Sequence, residues 1–302
     1  MDNPDICPAY YHDASADESI KATEATISHI QSIDPKGRLI APIITPRFAP
    51  TCSFESMAGL GRLAASFNPP LHIQTHLSEN KKEIALVKEL FPQSSSYTQV
   101  YDGSCLLTPR TILAHAVHLS PEERVLIRSR GSKISHCPAS NTAIGSGLCS
   151  VRTLLDDGLT VGLGTDVSAG YSSSILVAVR QACLVSRLVT YASSDESRHA
   201  NLSAEDALYL ATRGGAQVVD MADKIGGFDI GMFWDAQLIE LGPGVNTDPD
   251  GDPREADQQI TSNVDIFGWE SWEERIAKWV WNGDDRNVKA VWVNGRLVHT
   301  RK

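Results

Sequence analysis

Short apolar runs alternate with longer helix-like stretches through the first two-thirds of the chain. The apolar runs cover residues 39–48, 71–77, 111–117, 132–138 and 159–166. Near-continuous apolar strands of this kind are typical of parallel sheets buried on both faces. Between them, Asn80 with Glu83 and Ser120 with Glu123 are capping-box signals for helix starts. Repeated strand–helix units predict an α/β fold with right-handed crossovers.

The number of strands narrows the choice of α/β fold. A (β/α)8 barrel has eight strands in roughly 250 residues. We count five between Ile40 and Asp166, and only a polar segment and one helix-like stretch (residues 15–32) precede them. The pattern therefore predicts a partial, TIM-like (β/α)8 barrel with about five of its eight strands. An open sheet is the alternative.

The pattern changes after about residue 222. Residues 234–240 are predicted to form a strand, and residues 242–257, rich in Gly, Pro and Asp, a loop. A Trp-rich helix is expected at 269–281, followed by a hairpin around Asn294-Gly295. We therefore predict two parts: a barrel portion at residues 1–222, and a small β appendage with the Trp-rich helix at residues 223–302.

Composition limits the class of function. The 302 residues carry a net charge of −10 without a basic cluster, which argues against nucleic-acid binding. No apolar run approaches the ~18–20 residues that span a membrane, and the N-terminus does not resemble a signal peptide. Six scattered cysteines without a C-x-x-C motif indicate reduced thiols. These features predict a cytoplasmic protein with a small-molecule partner, no nucleic acid and no membrane.

His76 and Glu79 are the most informative candidates for chemistry. Strand alternation places His72, Gln74 and His76 on one face, with His76 nearest the carboxyl end, where parallel barrels carry their active sites. Glu79 follows in the loop, within reach of whatever His76 binds. The alternative is a core histidine and a helix-start carboxylate, because helix starts favour acidic residues.

Asp166 and His115 lie at corresponding positions on other strands. Asp166 closes the run Val161-Gly-Leu-Gly-Thr-Asp166, where a carboxylate needs a metal, a cation or a donor. The competing interpretation is a helix N-cap. His115 ends the strand after that of His76. A hydrogen-bonded structural role is the alternative for His115, and we interpret His136 as structural.

Arg47 and Phe48 end the first apolar run. An arginine offers a forked donor to a carbonyl or carboxylate, and a phenylalanine offers a flat face to a planar ligand. A surface arginine beside a core phenylalanine is the alternative. Two histidines and an aspartate closing parallel strands, with a glutamate nearby, match the nitrogen and oxygen donors that zinc accepts. Water bound to such a zinc ionises near neutral pH.

These residues stand in runs that resemble the guanine deaminase family of the amidohydrolase superfamily, a group of metal-dependent hydrolases. The resemblance covers nearly the whole chain. The matching runs are residues 45–48, 72–80, 113–115, 135–141, 162–167, 226–231, 281–287 and 291–295.

The resemblance implies a zinc-dependent hydrolysis of guanine to xanthine and ammonia, in purine catabolism. It assigns His76 and Asp166 to one zinc ion and Glu79 to proton transfer, with His115 on the substrate side. Arg47 and Phe48 would hold the purine. Catalytic residues would thus be Glu79, Asp166 and His115, all three also contacting substrate, as would His76. A homodimer is a further implication.

One departure from the family pattern is large. The family carries a His-x-His pair on an early strand, and no His-x-His occurs here. The chain resembles the C-terminal part of a family member. Two hypotheses therefore remain: a guanine deaminase or a sibling amidohydrolase acting on another heterocycle, and a truncated, catalytically inactive remnant that at most binds a partner.

Overall fold

The computed structural model describes residues 1–193, 197–242 and 262–301. The strands are β1 (Ile43–Ile44), β2 (His72–Leu77), β3 (Thr111–His115), β4 (Lys133–His136), β5 (Val161–Leu163), β6 (Ala236–Ile239), β7 (Val288–Val293) and β8 (Arg296–Thr300). The helices are α1 (Ala16–Ile33), α2 (Phe54–Ala65), α3 (Lys81–Leu90), α4 (Tyr97–Gly103), α5 (Pro121–Arg130), α6 (Pro138–Ala143), α7 (Val151–Asp156), α8 (Ile175–Ala192), α9 (Ala204–Tyr209), α10 (Gly215–Val218) and α11 (Trp272–Asn282). Short helical turns cover Ala49–Thr51, Leu210–Gly214 and Asp285–Asn287.

The first five strands form one parallel sheet. Their order, β1-β2-β3-β4-β5, follows the chain, and every neighbouring pair is parallel. The predicted α/β class and its five parallel strands are confirmed. Within the described residues β1 and β5 do not pair with each other, so the sheet is not seen to close. The carboxyl ends of all five strands lie at one edge.

Local sequence signals account for where the helices begin. Asn80 caps α3 and Ser120 caps α5, each in a reciprocal capping box with the acid three residues later. Ser203 with Asp206 does the same for α9. Each cap satisfies backbone N–H groups that the first helical turn leaves free. The starts of α3 and α5 were predicted from the sequence.

The core lies between the parallel sheet and the helices that cover it. Each of β1 to β4 has at least one completely buried apolar side chain, and these include Ile44, Ile73, Leu113 and Ile134. Burying such a side chain contributes roughly 1.5–3 kcal/mol. The alternate residues of β2, His72, Gln74 and His76, stay partly exposed on the other face. The sequence predicted this shared face.

The second sheet is small and antiparallel, in the order β6-β7-β8. Asn294 and Gly295 form its tight turn, with φ angles of 49° and 75°, as their sequence predicted. Helix α11 packs on α8 and α9, and the guanidinium of Arg180 on α8 donates to the Val280 and Gly283 carbonyls. Residues 243–257 of the predicted loop lie outside the described part of the chain.

Helix α8 corrects one expectation. It has 18 residues and is apolar enough to cross a membrane by length and composition, so the statement that no run approaches that length is wrong. About a third of it is buried inside the protein, including Ala178, Val179 and Cys183. It packs against α6, α9 and α11, as a core helix does. Length and composition alone are therefore weak support for a membrane span.

Candidate functional site

The strand ends bring the candidate residues to one edge of the sheet. His76 lies near the end of β2, His115 ends β3, and Asp166 follows β5. His115 and Asp166 have left-handed φ angles of 72° and 48°. A non-glycine residue in this region costs on the order of 1–3 kcal/mol, and such strain is concentrated at functional sites. The backbone is thus strained at two of the three positions singled out from the sequence.

A buried hydroxyl network fixes the backbone around His76. Tyr101 Oη donates to the His76 carbonyl at 2.7 Å. It accepts from Thr75 Oγ1 at 3.1 Å and from the Ala49 N–H at 3.0 Å. The His76 N–H donates to the Arg47 carbonyl at 3.3 Å. The end of β2 and the segment after β1 are therefore held together directly beneath the site.

The imidazoles of His76 and His115 face each other edge to face. Their ring centroids are 5.1 Å apart with an interplanar angle of 73°. Burial holds the pKa of His76 below its ordinary value. The nearby His115 lowers this pKa further, while Asp166 and Glu79 oppose the shift. His76 is therefore favoured in the neutral form, which is the form that can donate a lone pair to a metal.

Glu79 points into the site rather than toward the helix that follows it. Its Oε1 accepts from Ser146 Oγ at 2.8 Å, and its Oε2 lies 3.6 Å from His115 Nε2. The capping carboxylate of α3 is Glu83, which accepts from the Glu79 and Asn80 N–H groups. The alternative of a mere helix-start carboxylate does not describe Glu79.

His115 is buried, with a relative exposure of 1%. Its Nδ1 lies 2.8 Å from Asn141 Oδ1, and its Nε2 faces Glu79. Asn141 lies within α6, the short helix that follows β4, and is itself buried. The ring of His115 therefore has one nitrogen held by an amide and the other directed toward the site.

Asp166 does not cap a helix. Helix α8 begins at Ile175 with Ser174 as its N-cap, so the N-cap interpretation of Asp166 is wrong. Its carboxylate lies close enough to raise the pKa of His76. Burial, with a contribution from Asp166, raises the pKa of the Cys137 thiol to about 12. Imidazole nitrogen and carboxylate oxygen are the donors that His76 and Asp166 offer here.

Arg47 and Phe48 lie beside His76. The Phe48 ring centroid is 6.1 Å from that of His76, and the Arg47 guanidinium lies 5.5 Å from the Phe48 ring. Arg47 is exposed, so the buried guanidinium that a tightly held purine would meet is not seen. Both Arg47 and His76 line a cavity of about 470 Å³. That volume is within the range of small-molecule sites.

Two residues of the site were not predicted from the sequence. Asn141 stands in a run that was noted only for its resemblance, and Ser146 was not noted at all. Their contacts join positions far apart in the chain, Asn141 to His115 and Ser146 to Glu79. The available signal was the helical stretch after β4, whose N-terminal end lies at the same sheet edge as the predicted site.

The donor types fit a zinc ion, but their number is small. Imidazole nitrogen and carboxylate oxygen are both normal zinc ligands, and catalytic zinc has three protein ligands. In the described ranges, no group of three or more His, Cys, Asp or Glu side chains could hold a metal ion. His76 and Asp166 thus remain two candidate ligands of a site that these residues alone do not complete.

Comparison with known proteins places the chain in a class. The Amidohydrolase family profile matches residues 4–298, so the chain belongs to the amidohydrolase family. Among curated relatives, a protein of Schizosaccharomyces pombe named probable guanine deaminase is 49% identical over 293 residues, which are 97% of this chain and 52% of that protein. Guanine deaminase of Mus musculus is 38% identical, over 99% of this chain and 61% of its own length.

Solved structures agree with this placement. A guanine deaminase from C. acetobutylicum with bound guanine in the active site superimposes with a TM-score of 0.80 at 35% identity, covering 97% of this chain and 63% of that chain. This chain spans between half and two-thirds of the length of these relatives.

Proposed function

We propose that this chain carries the proton-transfer and part of the metal- and substrate-binding machinery of a zinc-dependent guanine deaminase, which hydrolyses guanine to xanthine and ammonia. The observation that carries the proposal is the position of Glu79, whose carboxylate is held between Ser146 and His115 beside His76. The names of the relatives support guanine as the substrate.

The proposed fold of the complete enzyme is a (β/α)8 barrel. The five parallel strands follow one another in chain order with helices between them, as consecutive units of such a barrel do. Residues 1–222 would belong to the barrel, and residues 223–302 to the small β appendage.

His76 and Asp166 would hold one zinc ion, with further ligands from outside the described residues. When bound, zinc would supply an acidified water as the nucleophile. Glu79 would hold the proton taken from that water and deliver it to the leaving amino group. Its Oε2 lies 3.6 Å from His115 Nε2, while Ser146 Oγ donates to Oε1.

The substrate would lie between the zinc position and the first strand. His115 presents Nε2 to this space, and the Phe48 ring offers a flat surface beside His76. Arg47 would donate to the ring carbonyl of guanine, a group that adenine lacks. Because Arg47 is exposed, this role requires that bound guanine or another part of the protein covers it.

The test is ammonia release from guanine, measured on the chain as it is and on a complemented protein. The complemented protein joins the chain to the part of the S. pombe relative that lies outside their match. We expect guanine deamination in the complemented protein, and a loss of about 10²–10⁴-fold for Glu79→Gln with zinc retained. Zinc lost together with activity would make Glu79 a ligand. If the complemented protein binds zinc but does not deaminate guanine, the proposed function is rejected.

A homodimer, a cytoplasmic location, and the lack of membrane and nucleic-acid partners stay predictions from the sequence. The net charge of −10 supports the last of these. Sedimentation of the purified chain with and without zinc would measure its assembly state.

A further inference from the structure

Two residues of the segment after β4 contact the catalytic candidates His115 and Glu79. Asn141 Oδ1 lies 2.8 Å from His115 Nδ1, and Ser146 Oγ donates to Glu79 at 2.8 Å. The Ser146 N–H donates to the Asn141 carbonyl at 2.8 Å, and His118 Nε2 bonds the Ser146 carbonyl at 2.8 Å. Asn141 and Ser146 are therefore fixed relative to each other and to the end of β3.

The contact with Asn141 determines which nitrogen of His115 carries a proton. An amide oxygen only accepts hydrogen bonds. His115 Nδ1 must therefore be the donor, and in the neutral ring Nε2 then holds the lone pair. Nε2 is the nitrogen that faces Glu79, at 3.6 Å from Oε2.

We propose that Asn141 is a positioning residue that fixes the ring orientation and the tautomer of His115, so that the lone pair of Nε2 faces the site. The catalytic meaning of this role rests on the proposed function. The tautomer itself does not, because it follows from the contact between two buried side chains.

The surroundings of Asn141 support a role beyond packing. Asn141 has a relative exposure of 1%, and its Nδ2 has no hydrogen-bond partner among the described residues. A buried donor without a partner is costly. An apolar residue of similar volume would avoid that cost but would leave His115 Nδ1 unpaired and its ring free to adopt either tautomer.

The opposite orientation of the amide makes the opposite prediction. If Asn141 Nδ2 donated to His115 Nδ1, the proton of the neutral ring would be on Nε2, directed at Glu79. The two arrangements differ in which ring nitrogen of His115 carries the proton, and this is measurable without substrate or metal.

The experiment records nitrogen–proton correlation spectra of the full chain labelled with ¹⁵N-histidine, at about pH 8, above the ordinary histidine pKa of about 6.5. The resonances of His115 are assigned by their loss in His115→Gln. We expect Nδ1 to give the signal of a protonated nitrogen and Nε2 that of a lone-pair nitrogen. Asn141→Asp, which keeps an acceptor, should retain this pattern.

Asn141→Ala should lose the single tautomer and move both His115 resonances toward intermediate, averaged positions. Ser140→Ala is the matched control, because Ser140 is buried in the same helix and its hydroxyl has no hydrogen-bond partner in the described chain. It should leave the His115 resonances unchanged. A proton on Nε2 in the parent chain, or an unchanged tautomer in a folded Asn141→Ala variant, would overturn the inference.

If Asn141→Ala fails to fold, the parent spectrum still decides between the two tautomers. Failure of the proposed function is separate, because it would appear as absence of guanine deamination with the Nδ1–H tautomer intact. A reversed tautomer beside normal deamination would reject the role of Asn141 alone.

Discussion

At the scale of single residues, left-handed backbone angles recur at the strand ends that carry the proposed site. Ser78, His115 and Asp166 lie at the ends of three different strands with left-handed φ angles of 49°, 72° and 48°. At each position the chain changes direction as it leaves the sheet. The left-handed conformation of each residue costs on the order of 1–3 kcal/mol. Such a cost at three neighbouring positions is understandable if it orients side chains for chemistry.

Arg47 is the residue whose environment differs most from the sequence-based expectation. The family resemblance implied a donor held against a purine, but the side chain is exposed and lies along the face of Phe48. Sequence reveals the residue type at a strand end but not how much chain covers it. Exposure reduces the expected strength of its hydrogen bond to substrate.

Arg47→Ala should lower kcat/KM for guanine in the complemented protein by about ten- to a hundredfold. Hydrogen bonds to a charged group contribute roughly 1.5–3 kcal/mol, which corresponds to this range. Zinc content should not change, because Arg47 is no ligand. Steady-state kinetics and metal analysis of Arg47→Ala and Arg47→Lys would measure both quantities. Parental kcat/KM in Arg47→Ala would remove Arg47 from the substrate site.

We expect His136 to make the fold sensitive to acid. It is completely buried, and within the described chain neither ring nitrogen has a hydrogen-bond partner. Burial, with a smaller contribution from His115, lowers the pKa of His136 to about 3. The folded state thus keeps His136 neutral, while the unfolded chain takes up a proton near pH 6.5. Stability from this residue is complete above pH 6.5 and is lost as the pH falls toward 3.

We therefore expect His136 to account for about 2 kcal/mol of stability lost between about pH 7.5 and pH 5. Denaturant unfolding at both pH values would measure it in the parent and in His136→Gln, whose amide has no charge to acquire. The variant should be less stable at pH 7.5 but lose about 2 kcal/mol less on acidification. Equal losses in both proteins would mean that His136 is not buried in neutral form.

At the scale of elements, local signals were predictable and long-range contacts were not. The caps of α3, α5 and α9 involve residues three apart, so their pattern is visible in the sequence. Alternation along β2 correctly placed His72, Gln74 and His76 on one face. By contrast, Ser146 and Glu79 are 67 positions apart. Only the folded sheet shows that the loop after α6 returns to the end of β2.

That loop depends on a glycine. Gly147 has a φ of 137°, and a Cβ there would lie 2.8 Å from His118 Cε1 and 2.9 Å from its Nε2. The ring of His118 occupies this space while it bonds the Ser146 carbonyl. Gly145, two residues earlier, has a φ of 74° and nothing within 4 Å of an added Cβ. Both glycines have a positive φ, but only at Gly147 would an added Cβ also meet another side chain.

Gly147→Ala should destabilise the protein more than Gly145→Ala. Backbone strain alone costs about 1–2 kcal/mol, and Gly147→Ala adds the contact with the His118 ring. The displaced loop should also move Ser146 away from Glu79. Chemical denaturation of both variants would compare the losses, and guanine turnover in the complemented protein would report on Glu79. Equal destabilisation by the two substitutions would contradict the proposed packing of His118 on Gly147.

At the scale of the whole molecule, the chain presents an ordered site edge with too few metal ligands among its described residues. His76 and Asp166 are candidate ligands. The match over residues 4–298 establishes that the chain belongs to the amidohydrolase family. The fold class could be predicted because apolar runs and caps are local. The residues that would complete the metal site could not, because the described residues hold no group of three or more side chains that could bind a metal ion.

The last prediction concerns zinc. Two protein ligands supply fewer bonds than the three found in catalytic zinc sites, so the chain alone should bind zinc weakly and substoichiometrically, with little guanine deamination. The complemented protein should hold one zinc per chain, because it can add the missing donors. His76→Ala and Asp166→Ala should each lower that zinc content, whereas Ser140→Ala should not.

Metal analysis after dialysis, with ammonia release measured on the same samples, would test this expectation. Bound zinc should stabilise the complemented protein by RT ln(1 + [Zn]/Kd). Its unfolding midpoint should therefore rise with the free zinc concentration, while the midpoint of the chain alone barely changes. Stoichiometric zinc and robust deamination in the chain alone would show that its own residues complete the site. In that case a third ligand must come from this chain, and His115, whose Nε2 faces Glu79, would be the first to test.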